Sequence, residues 1–465
     1  MIEVIDPSTE AVIDTVPEAD AAAVDAAVRG AQAAQPGWAA LPLEERCAAL
    51  DAFADRLAGA ADALGETVAR EVGMPLAQSV AIQAMLPVAD IRSAATEARA
   101  YPFEAEEAGA RIWHEPVGVV SAITPWNFPL HQIAAKVAPA LAVGCTVVLK
   151  PSELAPLNAL AFAELADFPG GVLTVLAGAA ATGEALVRHP GVDAVSLTGS
   201  VRAGRAVGAI AGERLRRATL ELGGKSPCVV LDDADLEGAI RHAIDRGYLN
   251  SGQACNASTR ILVPRAQLGR AEEIAAAVAG EIVVGPAFDE GVTMGPLVSA
   301  GQRDRVRAYI EDALGGSAAG GGATTRAPGA GADARLIFGG ADAPHARGYF
   351  LRPTLFSDVD AAAPIAREEI FGPVLCLFGY DDEDHAVALA NDTPYGLAAE
   401  VFTADPDRGT QVARRLRAGQ VKLNGVRTRD SIGAPFGGIG DSGLGRELGR
   451  WGLEEFLEVK AVLGA

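Results

Sequence analysis

Residues 117–150, VGVVSAITPWNFPLHQIAAKVAPALAVGCTVVLK, carry the pattern on which the fold reading turns. Val117 to Thr124 is β-branched and apolar, and it breaks at Pro125, which has no N–H to give a sheet ladder. A helical stretch follows from Leu130 to Ala142, and Thr146 to Leu149 then reads as a short buried strand. Val172–Leu176 and Ala194–Leu197 repeat that short apolar form, each after a turn-rich or helical piece. Alternation of this kind predicts a parallel sheet with helices on both faces.

The pattern extends both ways. Upstream, a short opening strand precedes helical stretches at Asp20–Ala34 and Leu43–Val72. Downstream, a second α/β series begins near Cys228, with strands at Val229–Leu231 and Ile261–Val263 and helices at Leu236–Tyr248 and Ala271–Ala279. Gly315–Ala334 is glycine- and alanine-rich without apolar periodicity and reads as a flexible surface loop. Strand patterns resume at Thr354–Phe356, Val374–Phe378 and Leu397–Phe402. The expectation is an α/β protein of two domains with open parallel-rich sheets, plus short bridging elements at Tyr101–His114 and the C-terminus.

A chain of 465 residues exceeds one ordinary core. Its 39 basic and 60 acidic residues give a net charge of −21, which repels nucleic acid and anionic membrane surfaces. The first residues show no basic and apolar leader, and the longest apolar stretch, Val137–Leu149, is too short to span a membrane. Cysteines 47, 145, 228, 255 and 376 lack C-x-x-C spacing, so neither a metal site nor a disulfide framework is expected. A reducing cytoplasm fits.

Five segments carry candidate chemistry. In NSGQACNASTR (250–260), Cys255 sits among small and polar residues before a strand, as an accessible thiol nucleophile would. Taken alone, a core-filling cysteine is the more common reading of such a residue. In TLELGGKSP (219–227), Glu221 lies in an apolar run that would desolvate it and raise its pKa toward that of a general base; a solvent-facing strand end is the alternative. In TPWNFP (124–129), two prolines stiffen a loop that presents Asn127, either as an oxyanion donor or as part of a plain turn. LKPSE (149–153) ends a strand where open α/β sheets bind ligands. LTGSVRAG (197–204) opens a helix with glycines and Ser200 suited to a pyrophosphate, although it is not the G-x-G-x-x-G fingerprint.

Together these segments resemble the aldehyde dehydrogenase superfamily, from about Asp6 to Lys460. Further matching blocks are HEPVGVV (114–120), MGPLVS (294–299), EEIFGPV (368–374), NDTPYGLAAEVFT (391–403) and PFGGIGDSGLGRELG (435–449). The resemblance implies that Cys255 attacks an aldehyde and that the Asn127 amide holds the oxyanion. Hydride loss leaves a thioester, which water activated by Glu221 hydrolyses. It implies NAD as preferred cofactor with NADP admitted, held by Thr124, Trp126, Lys150, Ser152, Glu153, Gly183, Gly199, Ser200, Gly204, Leu222, Gln302, Glu369 and Phe371. Glu153 would accept from a ribose 2′-hydroxyl and repel a 2′-phosphate.

The resemblance also implies a partition. Residues 1–98 and 117–224 would form a discontinuous dinucleotide-binding domain, and 225–435 the catalytic domain. Residues 99–116 and 454–465 would be oligomerisation strands of a homodimer or homotetramer, and 436–453 a return segment. His131, Gln132, Ala135, Ala254 and Asn256 are candidates along the substrate tunnel. Arg427 and Arg429 are candidates for a substrate carboxylate or phosphate. A CoA-acylating relative, an acyl-phosphate-reducing relative and a non-catalytic protein of the same fold are the alternatives; the Glu221 block and the intact Cys255 and Asn127 speak against them. Relative to many family members, IGDSG replaces an aromatic and a lysine after PFGG.

Overall fold

A computed structural model describes residues 1–315 and 334–464. The glycine- and alanine-rich segment, expected as a flexible loop, therefore falls almost wholly outside the described residues.

Two sheets organise the chain. The first runs in the order Gly443–Leu444, Arg217–Glu221, Ala194–Thr198, Val119–Ile123, Thr146–Lys150, Leu173–Val175. All its neighbours are parallel except the short first strand. The second has seven strands: Arg335–Phe338, Thr354–Ser357, Val374–Tyr380, Arg260–Pro264, Pro227–Val230, Ala398–Phe402 and Gln420–Leu423. Only its first strand is antiparallel. In the first sheet, Val119–Ile123 sends its chain to Thr146–Lys150 on one side and later pairs with Ala194–Thr198 on the other. That reversal opens a crevice at the carboxyl ends of the strands, where such sheets take ligands.

The helix Pro129–Val143 explains why the crevice is rigid. Pro129 occupies its first turn, and Gly144, at φ 103°, ends it. Every residue of the helix but His131 is buried, because it packs between the first sheet and the helix Leu86–Ala100. The stretch 43–72, expected as one helix, is two, Leu43–Gly59 and Ala61–Val72, broken at Ala60 (φ −104°, ψ 11°). Gly59 weakens the ladder there, and the break lets Leu50, Phe53 and Leu57 reach the same core as Leu64, Val68 and Val72.

The bridging pieces form an antiparallel sheet, Glu104–Glu107 beside Ala110–Pro116 beside Leu457–Leu463. Val459 and Leu463 are exposed on its outer strand. Among the described residues no helix is long and apolar enough to cross a membrane.

Candidate active site

Asn127 lies in the loop between the strand Val119–Ile123 and the helix Pro129–Val143. It is clamped onto the segment that leads to Cys255. Its Nδ2 donates to the Gln253 carbonyl (2.9 Å), while its own carbonyl accepts from Asn250 Nδ2 (2.8 Å) and Gln83 Nε2 (3.0 Å). Gln253 is tied in turn, accepting from the Val298 N–H (3.0 Å) and donating to the Asn250 carbonyl (2.9 Å). Asn250, Ser251 and Gly252 all adopt left-handed conformations, at φ 50°, 59° and 72°. Asn250 and Ser251 are strained there, as glycine at 252 is not, and the hydrogen bonds of Asn250 and that of Ser251 Oγ to the Gly295 carbonyl (2.8 Å) hold them just before Cys255. A side chain at Gly252 would sit 2.2 Å from the Gly372 carbonyl oxygen, so only glycine fits there.

Cys255 is half-buried and faces a cavity of about 920 Å³; the other four cysteines are buried. Burial pushes its thiol up to about 12, and the carboxylates of Glu369, Glu221 and Glu447 add to the effect.

Glu221 ends the strand Arg217–Glu221 and is 2% exposed. Neither carboxylate oxygen has a hydrogen-bond partner among the described residues. Its pKa stands well above the ordinary value, first from burial and then from Glu447, with Lys136 and Arg446 opposing. Glu369 is also raised, to about 7, by burial; the Gly224 N–H donates to it (3.1 Å) and limits the rise. A Cβ at Gly223 would lie 2.1 Å from the Glu369 carboxylate, so the Gly-Gly pair is what lets that side chain reach the cleft.

The residues expected at the cofactor gather mainly at the carboxyl ends of the first sheet. Thr124 follows Val119–Ile123; its N–H donates to the Lys150 carbonyl (3.1 Å), and its buried hydroxyl has no partner among the described residues. Lys150 Nζ donates to the carbonyls of Pro151 (2.6 Å) and Gly178 (2.8 Å) and lies 3.9 Å from the Glu153 carboxylate. Burial holds that ammonium below its usual range. The Ser152 hydroxyl accepts from the Leu154 N–H (3.2 Å), and Gly183 packs beside the Lys150 stem. The Gly199 N–H donates to the Glu221 carbonyl (3.0 Å), and Ser200 caps the helix Val201–Glu213. Gly204 lies inside that helix, where its closest neighbour is the Leu222 side chain. Trp126, in the loop after Val119–Ile123, meets Phe371, just before the strand Val374–Tyr380, edge to face at 5.4 Å, and Gln302 Nε2 donates to the Phe371 carbonyl (2.8 Å).

The sequence matches the profile of the aldehyde dehydrogenase family over residues 1–462. The chain belongs to the aldehyde dehydrogenase family. It is 43% identical to a 3-succinoylsemialdehyde-pyridine dehydrogenase of a Pseudomonas species, over 99% of this chain and 94% of that one. It is 40% identical to a geranial dehydrogenase of Castellaniella defragrans, with the same coverage. Among solved structures it resembles Pseudomonas syringae aldehyde dehydrogenase C, a cysteine-to-alanine mutant in complex with NAD+ and octanal. That match has a TM-score of 0.94 at 43% identity, covering 100% of this chain and 93% of that one. A Mycobacterium tuberculosis aldehyde dehydrogenase complexed with NAD+ superposes with a TM-score of 0.93 at 39% identity, covering 100% and 94%.

Of the residues expected along this dehydrogenase's tunnel, His131, Gln132, Ala254, Asn256 and Arg427 line the cavity with Cys255. Ala135 does not; it is buried within the helix packing. The Arg429 side chain lies outside the described residues. Sequence reasoning missed Lys136 and Glu447, a buried ion pair beside Glu221, with Lys136 Nζ also donating to Thr198 Oγ1 (2.6 Å). A lysine alone in an apolar helix was a readable signal for the first of the pair. Glu447 has no local signal.

Proposed function

We propose that the protein oxidises an aldehyde to its carboxylic acid with NAD+, through a covalent intermediate on Cys255. The observation that carries this reading is the pairing of a half-buried thiol lining the cavity with a buried carboxylate, Glu221, whose two oxygens have no hydrogen-bond partner among the described residues. Cys255 attacks the carbonyl carbon, and its proton passes to a carboxylate of the cleft. The second N–H of the Asn127 amide and the Cys255 backbone N–H stabilise the oxyanion. Glu221 then takes a proton from the water that cleaves the Cys255 thioester.

The polar strand ends fit a dinucleotide: an unpartnered Thr124 hydroxyl, Lys150 and Glu153 for a ribose, and the helix start at Ser200 for a pyrophosphate. Bound there, NAD+ would supply the hydride acceptor that lets the aldehyde adduct on Cys255 become the thioester. Glu369 and Phe371 would position the nicotinamide end, with Gln302 donating to the Phe371 carbonyl. Half-exposed Glu153 favours NAD+ over NADP+. The relatives' NAD+ complexes and aldehyde substrates support the same assignment. We assign the cofactor to residues 1–98 and 117–224, catalysis to 225–435 and subunit bridging to 99–116 and 454–465, in a cytoplasmic homodimer or homotetramer. The exposed apolar Val459 and Leu463 on the last strand support that bridging role.

NADH production with octanal, with NAD+ and NADP+ in parallel, tests the reading. Cys255→Ala should abolish it, and intact-mass spectrometry of Glu221→Gln after aldehyde and NAD+ should show one acyl adduct. Full turnover by Cys255→Ala would end the proposal.

A further inference from the structure

Lys225 and Ser226 follow the Gly-Gly pair but do not line the Cys255 cavity. Each is 2% exposed, and both line a separate cavity of about 10 Å³, room for one species the size of a water. Among the described residues the Lys225 ammonium makes no hydrogen bond or ion pair, and the Ser226 hydroxyl has no partner. Acceptors that line the cavity are engaged elsewhere. The Ala390 carbonyl accepts from Arg260 Nη1 (3.2 Å), that of Gly396 from the Gly419 and Ile439 N–H groups (3.0 and 3.1 Å), and that of Leu397 from the Gln420 N–H (3.1 Å). Asn391 Oδ1 accepts from the Arg417 N–H (2.7 Å). Arg260, also 2% exposed, is a second buried cation: its Nη2 donates to the Leu389 carbonyl, its Nε has no partner among the described residues, and no carboxylate pairs with it there. Burial pushes the Lys225 pKa down to about 8, with Arg260 adding to the fall and Cys376, Glu369 and Glu368 opposing it from a distance. A buried ammonium beside a spare hydroxyl costs free energy unless a ligand supplies the missing negative charge.

The small cavity shares Asn391, Thr393, Tyr395 and Arg417 with an open surface cleft of about 580 Å³. At that cleft Arg367 is paired with Asp392 (3.0 Å) and Glu368 accepts from Tyr309 Oη, while Arg417 has no ion pair among the described residues. We propose that Lys225 and Ser226 hold one small monovalent anion, a halide such as chloride, which enters by way of this cleft. A halide accepts hydrogen bonds from every side, which suits a lining whose spare groups are donors. Water would bring two hydrogens to acceptors already engaged, and a sulfate or phosphate is larger than the cavity. The bound anion keeps Lys225 charged next to Gly224, whose N–H donates to Glu369 (3.1 Å), so the site lies behind the cleft that holds Cys255. It does not depend on the aldehyde oxidation proposed above.

Crystals of the whole enzyme grown in sodium bromide test the site by anomalous scattering. A bromide peak within about 3.5 Å of both Lys225 Nζ and Ser226 Oγ is expected. In solution, replacing gluconate by chloride at constant ionic strength should raise the Tm saturably, by about 2 °C. Lys225→Met, which keeps the length of the side chain without its charge, should lose that increment. Ser226→Ala should need more chloride to reach it. No bromide in the cavity, or bromide at surface sites only, would overturn the site whether or not the variants fold. A peak without a saturable Tm increment is binding at crystal concentration only and sinks the proposal too, as does an increment that Lys225→Met retains in full. Neither readout involves turnover, so failure of the anion site leaves the aldehyde oxidation standing, and failure of that reaction leaves the anion site standing.

Discussion

Glu71 and Glu221 are buried to nearly the same degree, 0% and 2% exposed, in two regions with opposite chemistry. Glu71, in the helix Ala61–Val72, accepts from the Leu157 N–H (2.5 Å), the Asn158 N–H (2.9 Å) and Asn158 Nδ2 (2.8 Å). It ties its helix to the start of the helix Leu157–Glu164, and these bonds limit the rise that burial causes, leaving its pKa at about 7. Glu221 has no such bonds and stands well above its ordinary value. Burial raises both, so burial alone does not distinguish a structural carboxylate from a reactive one. The number of donors already spent on it does.

The strongest way to break this comparison is to remove each carboxylate. Glu221→Gln should lower steady-state turnover about 10³-fold while leaving the first hydride transfer visible as a burst of NADH. Its thermal stability should stay near wild type, because no bond is lost. Wild-type turnover in Glu221→Gln would make the bare carboxylate an idle one. Asn127→Ala should cost about 10² in kcat, by loss of an oxyanion donor and of the clamp on Gln253. A change confined to KM would argue that Asn127 only shapes the tunnel.

Glu71 sharpens the other side. Because its folded pKa lies above the unfolded value, the folded state binds more protons between about pH 4.5 and 7. Stability therefore falls as pH rises through that window, by an amount on the order of 3 kcal/mol. Glu71→Gln should flatten this slope in urea titrations at pH 5 and pH 7, with kcat unaffected at temperatures where the variant is folded. An unchanged slope would show that the three donors hold the group ionised throughout.

Much of the site was legible in the chain because its chemistry is local. Glu221 stands in an apolar run before Gly-Gly, Asn127 between two prolines, and Cys255 among small residues, and the blocks around them fall in a recognisable order. What was not legible is pairing across distance. Glu447 meets Lys136 over a separation of 311 residues and Asp90 meets His131 over 41, and no periodicity or turn signal encodes either contact. The ends of the helices were misread for a related reason. The break at Ala60 follows from which faces must share one core, which a run of alanines does not specify.

That distant pair sets the smallest expected effect. Glu447 is the largest charged contributor to the raised pKa of Glu221, while Lys136 opposes it. Glu447→Gln removes the repulsion and leaves the Lys136 ammonium nearer in effect to Glu221, so both consequences lower the Glu221 pKa. Turnover requires Glu221 ionised and so rises with pH through that pKa. The acidic limb of the kcat–pH profile should therefore move to lower pH in Glu447→Gln, by about one unit or less. A limb that moves upward would mean that Glu447 acts on Glu221 through Lys136 by fixing where the lysine side chain lies, and that the bare carboxylate depends on its distant neighbour for more than repulsion.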